Sequence, residues 1–144
     1  MNKSILDNNN WINNGQNYKK ELQKIQNIAF SNADYPLLMI NQNKYIDKEY
    51  PLGSYYKKWK SINVRMINDV KGQILWSFNV EGQILVNGYH QKIDEILGYW
   101  YPSHSAFLKL IESPDRHESF ELRKKLITNS IIHRCDGRNP PKIF

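Results

Sequence analysis

The sequence predicts an α+β domain in which helices cover one face of a four-stranded antiparallel sheet. The chain has 144 residues, about the size of one ordinary domain. Its apolar content of 40% is sufficient for a hydrophobic core, despite a polar mean hydropathy. Segments with the residue spacing of strands and of helices follow one another in the order strand, helix, strand, strand, helix, strand. We therefore expect a single folded domain.

Residues 1–34 are predicted to form an N-terminal extension. The first part is rich in asparagine, which favours turns. An amphipathic helix is predicted to follow, because apolar residues recur at helical spacing at Tyr18, Leu22, Ile25 and Ala29. This apolar stripe is too hydrophobic to remain in water, so we expect the helix to dock on the domain or on a partner subunit.

The domain itself is predicted to span residues 35–137, with residues 138–144 as a C-terminal tail. The apolar run of residues 36–41 predicts the first strand. Ser54 begins the clearest helix, which Gly72 ends. Its buried stripe is predicted to comprise Tyr56, Trp59, Ile62, Met66 and Val70.

Two further strands are predicted between residues 73 and 101. In residues 73–80 the alternation places Ile74, Trp76, Phe78 and Val80 on one face. A turn at Glu81-Gly82 then leads into a strand-like return at residues 84–86. The next strand covers residues 93–101 and ends at Pro102, which lacks the backbone donor that a central strand needs.

A broken helix and a last strand complete the predicted domain. Ser103 caps a short helix, and Ser113-Pro114-Asp115 ends it and starts a second, with Ser113 as its cap. The last strand is predicted within residues 129–135. The βαββαβ order that results is the ferredoxin-like arrangement, which leaves one face of the sheet without helices. A second subunit usually covers that face in small proteins, so we predict a homodimer.

Several short motifs resemble the DUF1330 family: Gly88-Tyr89-His90, Tyr101-Pro102-Ser103, Ala106-Phe107, Ser113-Pro114-Asp115 and Leu122-Arg123. The resemblance covers about residues 35–137 and implies a dimeric α+β barrel, related in fold to antibiotic-biosynthesis monooxygenases. Two features depart from the family pattern. Arg116 stands where the family usually has an aromatic residue, and residues 1–34 have no counterpart. The resemblance implies the fold more directly than the activity, because one fold hosts many chemistries.

Composition and spacing argue against several classes of function. The single Cys135 excludes an intrachain disulfide and a zinc site built on paired thiolates. No histidine pair has metal-ligand spacing, so we predict no metal and no cofactor, although one axial histidine is compatible with haem. Nucleic-acid binding is disfavoured, because the lysines behind the net charge of +6 are dispersed. No apolar run is long enough to span a membrane, and we expect a cytoplasmic protein.

The candidate catalytic residues are His90 and His104, because imidazole transfers protons near neutral pH. His90 is preferred, since it lies where a hairpin return enters a strand. The acidic pair Asp94 and Glu95 is ranked below it, because acids in loops are usually solvated. An apolar pocket between the long helix and the sheet is predicted to bind substrate through Tyr56, Trp59, Arg65, Met66, Trp76, Tyr99, Tyr101 and Arg123.

Two functions are compatible with these features. The first is a cofactor-independent small-molecule enzyme of the oxygenase, isomerase or cyclase type, acting on an aromatic or polyketide-like substrate in a biosynthetic pathway. The second is a non-catalytic dimeric protein that binds a small molecule or serves as an accessory, in which the same aromatic residues form an ordinary core. A deep pocket with a titrating side chain would favour the first, and a filled interior the second.

Overall fold

The computed structural model describes residues 15–88 and 92–139. The helices are α1 (Gly15–Ala29), α2 (Ser54–Asp69), α3 (His104–Ile111) and α4 (Arg116–Leu126). The strands are β1 (Leu37–Tyr45), β2 (Gln73–Asn79), β3 (Glu95–Tyr101) and β4 (Ile127–Asp136). None of the helices in the described part of the chain is both long enough and apolar enough to cross a membrane.

The four strands form one antiparallel sheet in the order β2-β3-β1-β4. The predicted α+β fold with its βαββαβ order is therefore confirmed. The central strands β3 and β1 are the most buried, whereas β2 and β4 form the two edges. The ends of β2 and β3 lie side by side, because Asn79 is opposite Glu95.

The alternation of side chains divides the sheet into two faces. The face under the helices carries Leu37, Met39, Leu97, Tyr99 and Tyr101, which form the hydrophobic core together with Trp59, Ile62 and Met66 of α2. The opposite face, which we call the open face, carries Ile40, Trp76, Phe78, Ile96, Trp100 and Ile131. No helix in the described residues covers the open face.

A β-bulge in β2 overturns the predicted alternation of that strand. The register shifts between Ile74 and Trp76, so Ile74 pairs with Tyr99 on the helix side and Trp76 pairs with Gly98 on the open face. A Cβ atom on Gly98 would meet the Trp76 ring at 2.5 Å. The glycine therefore lets the indole lie directly on β3, and the prediction that Ile74 and Trp76 share a face is wrong.

The predicted strand-like return at residues 84–86 is also wrong. Residues 80–88, which follow β2, form a loop without strand structure, and a hydrogen bond from Val80 N to Asp94 O at 2.9 Å lies at the base of this loop. Ile84 and Leu85 lie in this loop with relative exposures of 105% and 84%. Both residues favour strands, but strand propensity takes effect only where a neighbouring strand is available for pairing. In the described residues no strand pairs with them.

Helix α1 lies against α3, as the apolar stripe of the extension predicted. Leu22 and Ile25 are buried, and an ion pair of 2.7 Å links Glu21 to Arg134 on β4. The connection to β1 is fixed as well, since the Asp34 carboxylate accepts hydrogen bonds from the backbone N–H groups of His104 and Ser105. Residues 15–34 are thus part of the folded unit.

Candidate functional site

A cavity of about 440 Å³ opens between α2 and the adjoining ends of β2 and β3. Its lining comprises Tyr50, Pro51, Tyr56, Lys57, Lys60, Ser61, Val64, Ser77, Asn79 and Glu95. Glu95 is the most buried of these residues, with a relative exposure of 1%. A carboxylate buried to this degree must be compensated by hydrogen bonds or charges, which makes it the first group to explain.

Three protein hydroxyls surround the Glu95 carboxylate. Tyr45 Oη donates to Oε1 at 2.6 Å, and Tyr56 Oη donates to Oε2 at 2.7 Å. Ser77 Oγ also donates to Oε2. The Lys60 ammonium lies 3.9 Å from Oε2 and is itself partly exposed. The site therefore combines an anionic acceptor on its floor with a cation at its edge.

Helix α2 and the segment before it position the groups around the cavity. Tyr56 and Lys60 lie one turn apart on α2, and Lys60 Nζ donates to Tyr56 Oη at 3.3 Å. The segment before α2 is held against the first turn of that helix, because Glu49 Oε1 accepts from Tyr56 N at 3.0 Å. That segment places Tyr50 at the cavity wall. The rings of Tyr50 and Tyr56 meet edge to face, with their centroids 5.0 Å apart.

Burial and the nearby carboxylate keep the cavity phenols protonated. Burial, followed by the charge of Glu95 and its hydrogen bonds, raises the pKa values of Tyr45 and Tyr56 far above their ordinary value. Burial and the negative charges of Glu95 and Asp94 raise the pKa of Tyr50 to about 12. Near neutral pH these tyrosines are therefore hydrogen-bond donors and not bases. Of the cavity groups, the Glu95 carboxylate is the one suited to accept a proton.

The sequence singled out two histidines, His90 and His104. His90 lies outside the described residues, so the prediction for it stays a prediction. His104 is buried, and its Nδ1 is 2.6 Å from the Tyr35 carbonyl oxygen. A carbonyl can only accept, so Nδ1 carries the hydrogen. His104 does not line the cavity, and its contacts hold the segment before β1 against α3.

The predicted substrate-binding residues are distributed over five environments. Tyr56 lines the cavity, whereas Trp59, Met66, Tyr99 and Tyr101 belong to the hydrophobic core. Arg65 is a surface residue paired with Asp115 at 2.9 Å. Trp76 lies on the open face, so the expectation that it joins a pocket under the helices is wrong. Arg123 lies in the interior, where burial lowers its pKa, and does not line the cavity.

From the sequence alone, Glu95 ranked below the histidines, and neither Tyr45 nor Ser77 was singled out as a site residue. A usable signal was present for Glu95. With a period of two, Glu95 shares a face with Leu97, Tyr99 and Tyr101, so an acid stood at the end of an otherwise apolar, buried row. Such a carboxylate has to be paired, and that requirement identifies it as unusual.

A second concavity of about 550 Å³ lies between α1 and the junction of α3 and α4. Its lining includes Leu22, Phe30, Leu108 and His117. His117 is exposed, and this surface lacks a buried charged group of the kind that Glu95 supplies to the first cavity. Among the described residues no group of three or more histidine, cysteine, aspartate or glutamate side chains is arranged to hold a metal ion.

Comparison with known proteins finds similarity in the fold of the chain. No family model matches the sequence, and no curated protein is similar enough to match it. The structure is similar to that of a protein of unknown function from Rhodopseudomonas palustris, with a TM-score of 0.67 and 19% identity over 85% of this chain and 95% of that one. A methylated form of that protein gives a TM-score of 0.67 and 20% identity, over 86% and 94% of the two chains. At this identity the likeness establishes the α+β fold alone.

Proposed function

We propose that the protein is a small-molecule enzyme that uses no cofactor and moves a proton on an aromatic or polyketide-like substrate, in a reaction of the isomerase or cyclase type. One observation carries this proposal: the buried Glu95 carboxylate on the floor of a concave site between α2 and the sheet. Buried carboxylates in clefts are typical general bases. The cavity volume suits one small aromatic molecule.

The proposed step is the removal of a proton from a carbon next to a substrate carbonyl. Glu95 accepts the proton, and the electron pair moves to the carbonyl oxygen to give an enolate. Lys60, whose ammonium lies 3.9 Å from Glu95 Oε2, donates a hydrogen bond to that oxygen. Return of the proton from Glu95 to another carbon of a conjugated enolate gives an isomer. Attack of the enolate on a second carbonyl carbon of the substrate breaks that C=O π bond and closes a ring, and the proton on Glu95 passes to the alkoxide that forms.

The substrate reaches Glu95 by displacing a small side chain. Ser77 is on the edge strand β2, is exposed, and covers Oε2 with its hydroxyl. Rotation about its χ1 angle uncovers that oxygen without moving the backbone. The rings of Tyr50 and Tyr56 supply the aromatic wall, and the partly exposed Lys60 makes the edge attractive to a polar oxygen.

The alternative is a non-catalytic small-molecule-binding protein, and one observation favours it. Both oxygens of Glu95 already accept hydrogen bonds from protein hydroxyls, which is also how a buried structural carboxylate is accommodated. In that case the cavity binds a ligand and Glu95 only orders its wall.

Deuterium exchange distinguishes the two functions. Phenylacetone, a ketone whose benzylic C–H groups lie next to the carbonyl and are acidic, is incubated with the protein in deuterium oxide and followed by proton NMR. We expect faster exchange with the wild type, and a rate at least about a hundredfold lower for Glu95→Gln. Glu112→Gln, which changes an exposed carboxylate outside the cavity, serves as the control. Binding without accelerated exchange would leave the non-catalytic alternative.

We also propose a homodimer, formed through the open face. Phe78 and Ile131 lie on this face with relative exposures of 61% and 53%. Together with Trp76 and Ile96 they make an apolar surface that a second copy would remove from water. The resemblance to DUF1330 implies the same assembly. We place this dimer in the cytoplasm.

A further inference from the structure

Behind Glu95 a row of hydrogen bonds runs through the interior to α4. Arg123 Nη2 donates to Ser130 Oγ at 2.9 Å, and Ser130 Oγ donates to Asn43 Oδ1 at 2.7 Å. Asn43 Nδ2 donates to Tyr45 Oη at 3.2 Å, and Tyr45 Oη donates to Glu95 Oε1 at 2.6 Å. We call these five residues the charge relay. It connects a guanidinium to a carboxylate through three neutral groups.

The direction of every bond in the charge relay is fixed by chemistry. A guanidinium can only donate and an ionised carboxylate can only accept. The hydroxyls of Ser130 and Tyr45 and the amide of Asn43 must therefore each accept on the Arg123 side and donate on the Glu95 side. Their dipoles are aligned, and hydrogen bonds aligned in this way strengthen one another.

Strand register explains why the charge relay exists. Asn43 pairs with Glu95 on β3 and with Ser130 on β4, so one residue of β1 bridges both neighbours. All three lie on the helix side of the sheet, where α4 brings Arg123. Relative exposure is 0% for Asn43, 2% for Tyr45 and 1% for Glu95. In this poorly screened environment a charge acts over a longer distance than it does at the surface.

We propose that Arg123 is the remote counter-charge of the Glu95 carboxylate, acting through Ser130, Asn43 and Tyr45. The other groups that interact with Glu95 are Lys60 and Tyr56 from α2, Tyr50 from the segment before α2, Ser77 from β2 and Tyr99 from β3, with Asp94 adjacent in the chain. A counter-charge on the far side balances the buried anion without a direct ion pair filling the cavity. The four partners are thus positioning residues. Their importance for catalysis rests on the proposed function, whereas the coupling itself does not.

The test is a pH titration of Glu95 followed by carbon NMR, in protein labelled at the glutamate side-chain carboxyl carbon. The signal that disappears in Glu95→Gln identifies the residue. Ser130→Ala breaks the charge relay in its middle, and we expect the affinity of Glu95 for a proton to rise at least about threefold. Ser130→Thr keeps the hydroxyl and should restore wild-type behaviour. Thr128→Ala is the matched control, since its hydroxyl bonds to the Lys44 carbonyl outside the relay.

Arg123→Gln separates the charge from the hydrogen bond. The amide can still donate to Ser130 but carries no charge, so the affinity of Glu95 for a proton should rise by at least the same factor. An unchanged Glu95 titration in folded Ser130→Ala or in folded Arg123→Gln would overturn the proposal, folding being checked by circular dichroism. Neither result needs a ligand or turnover. Failure of the charge relay is therefore distinguishable from failure of the proposed enzyme activity.

Discussion

At the scale of single residues, the protein is defined by the way it accommodates Glu95. A carboxylate at a relative exposure of 1% normally destabilises a fold, yet here two tyrosines and a serine donate to it. Lys60 is near enough to contribute but too exposed to be a buried ion pair. Hydroxyls rather than cations therefore provide the immediate stabilisation. This arrangement suits a group that has to remain available at a cavity.

The buried tyrosines make the folded state sensitive to alkaline pH. Burial raises the pKa values of Tyr18, Tyr45, Tyr50, Tyr56, Tyr99 and Tyr101. Below pH 10 these phenols are neutral in both the folded and the unfolded states, and their effect on stability is constant. Above pH 10 the unfolded chain releases their protons while the folded protein retains them, so stability falls as pH rises.

We therefore expect the free energy of unfolding, measured by urea titration, to decrease steadily between about pH 10 and pH 12. The absorbance of tyrosinate should appear in two stages, the exposed tyrosines first and the buried ones together with unfolding. Ionisation of all nine tyrosines in one step, without unfolding, would contradict the assigned burial.

At the scale of secondary structure, the sequence was most informative where a period continued over several residues. The Ser103 cap of α3, which accepts from Ala106 N at 3.0 Å, occurs as predicted. The predicted stripe of α2 is buried except for Val70, which is the half-buried C-cap of the helix, and Ile67 is buried in addition. The start of α4 differs, because Ser113 Oγ bonds to Asp115 N and Asp115 holds the N-cap position. Apolar spacing and capping residues lie within or next to the helix itself, so a helix can be predicted from its own stretch of sequence.

The predictions of secondary structure were wrong where contacts between distant parts of the chain determine the local structure. The bulge in β2 depends on the pairing of Trp76 with Gly98 across the sheet, which β2 alone does not reveal. The apolar run at residues 84–86 lacks a strand partner in the described residues and remains a loop. The grouping around Glu95 was not predicted for a similar reason: Tyr45, Ser77 and Glu95 come from three strands, and only the sheet register brings them together.

The docking of α1 can be tested by removing one buried side chain. Leu22 is buried between α1 and the domain, so Leu22→Ala should lower the free energy of unfolding by roughly 2–5 kcal/mol. Lys20→Ala, an exposed position on the same helix, should change it by less than about 0.5 kcal/mol. Equal stabilities of the two variants in urea titrations would show that α1 does not contribute to the fold.

At the scale of the whole molecule, the sheet separates two tasks. The face under the helices holds the core and the charge relay, and the cavity opens at one end of it, beside α2. The open face is largely apolar, although it also carries Gln42 and His133, and no helix covers it in the described residues. The proposed interface and the proposed site therefore lie on opposite faces, and substitutions can test them independently.

The homodimer is tested by placing a charge on the open face. We expect wild-type protein to scatter light as a dimer at micromolar concentration, and Phe78→Lys to shift it towards the monomer, because burying an unpaired ammonium is costly. Phe30→Lys, at a more exposed phenylalanine directly after α1, should leave the assembly unchanged. A wild-type monomer at this concentration would refute the proposed dimer.

The most direct test of the central claim is to map where a small aromatic molecule binds. Backbone amide signals of labelled protein are followed by NMR while phenylacetone is added. The proposed site predicts saturable shifts at Lys57, Ser61, Val64, Ser77 and Asn79, which line the Glu95 cavity. Shifts confined to Leu22, Phe30 and Leu108 at the second concavity, or no saturable shifts at all, would contradict it.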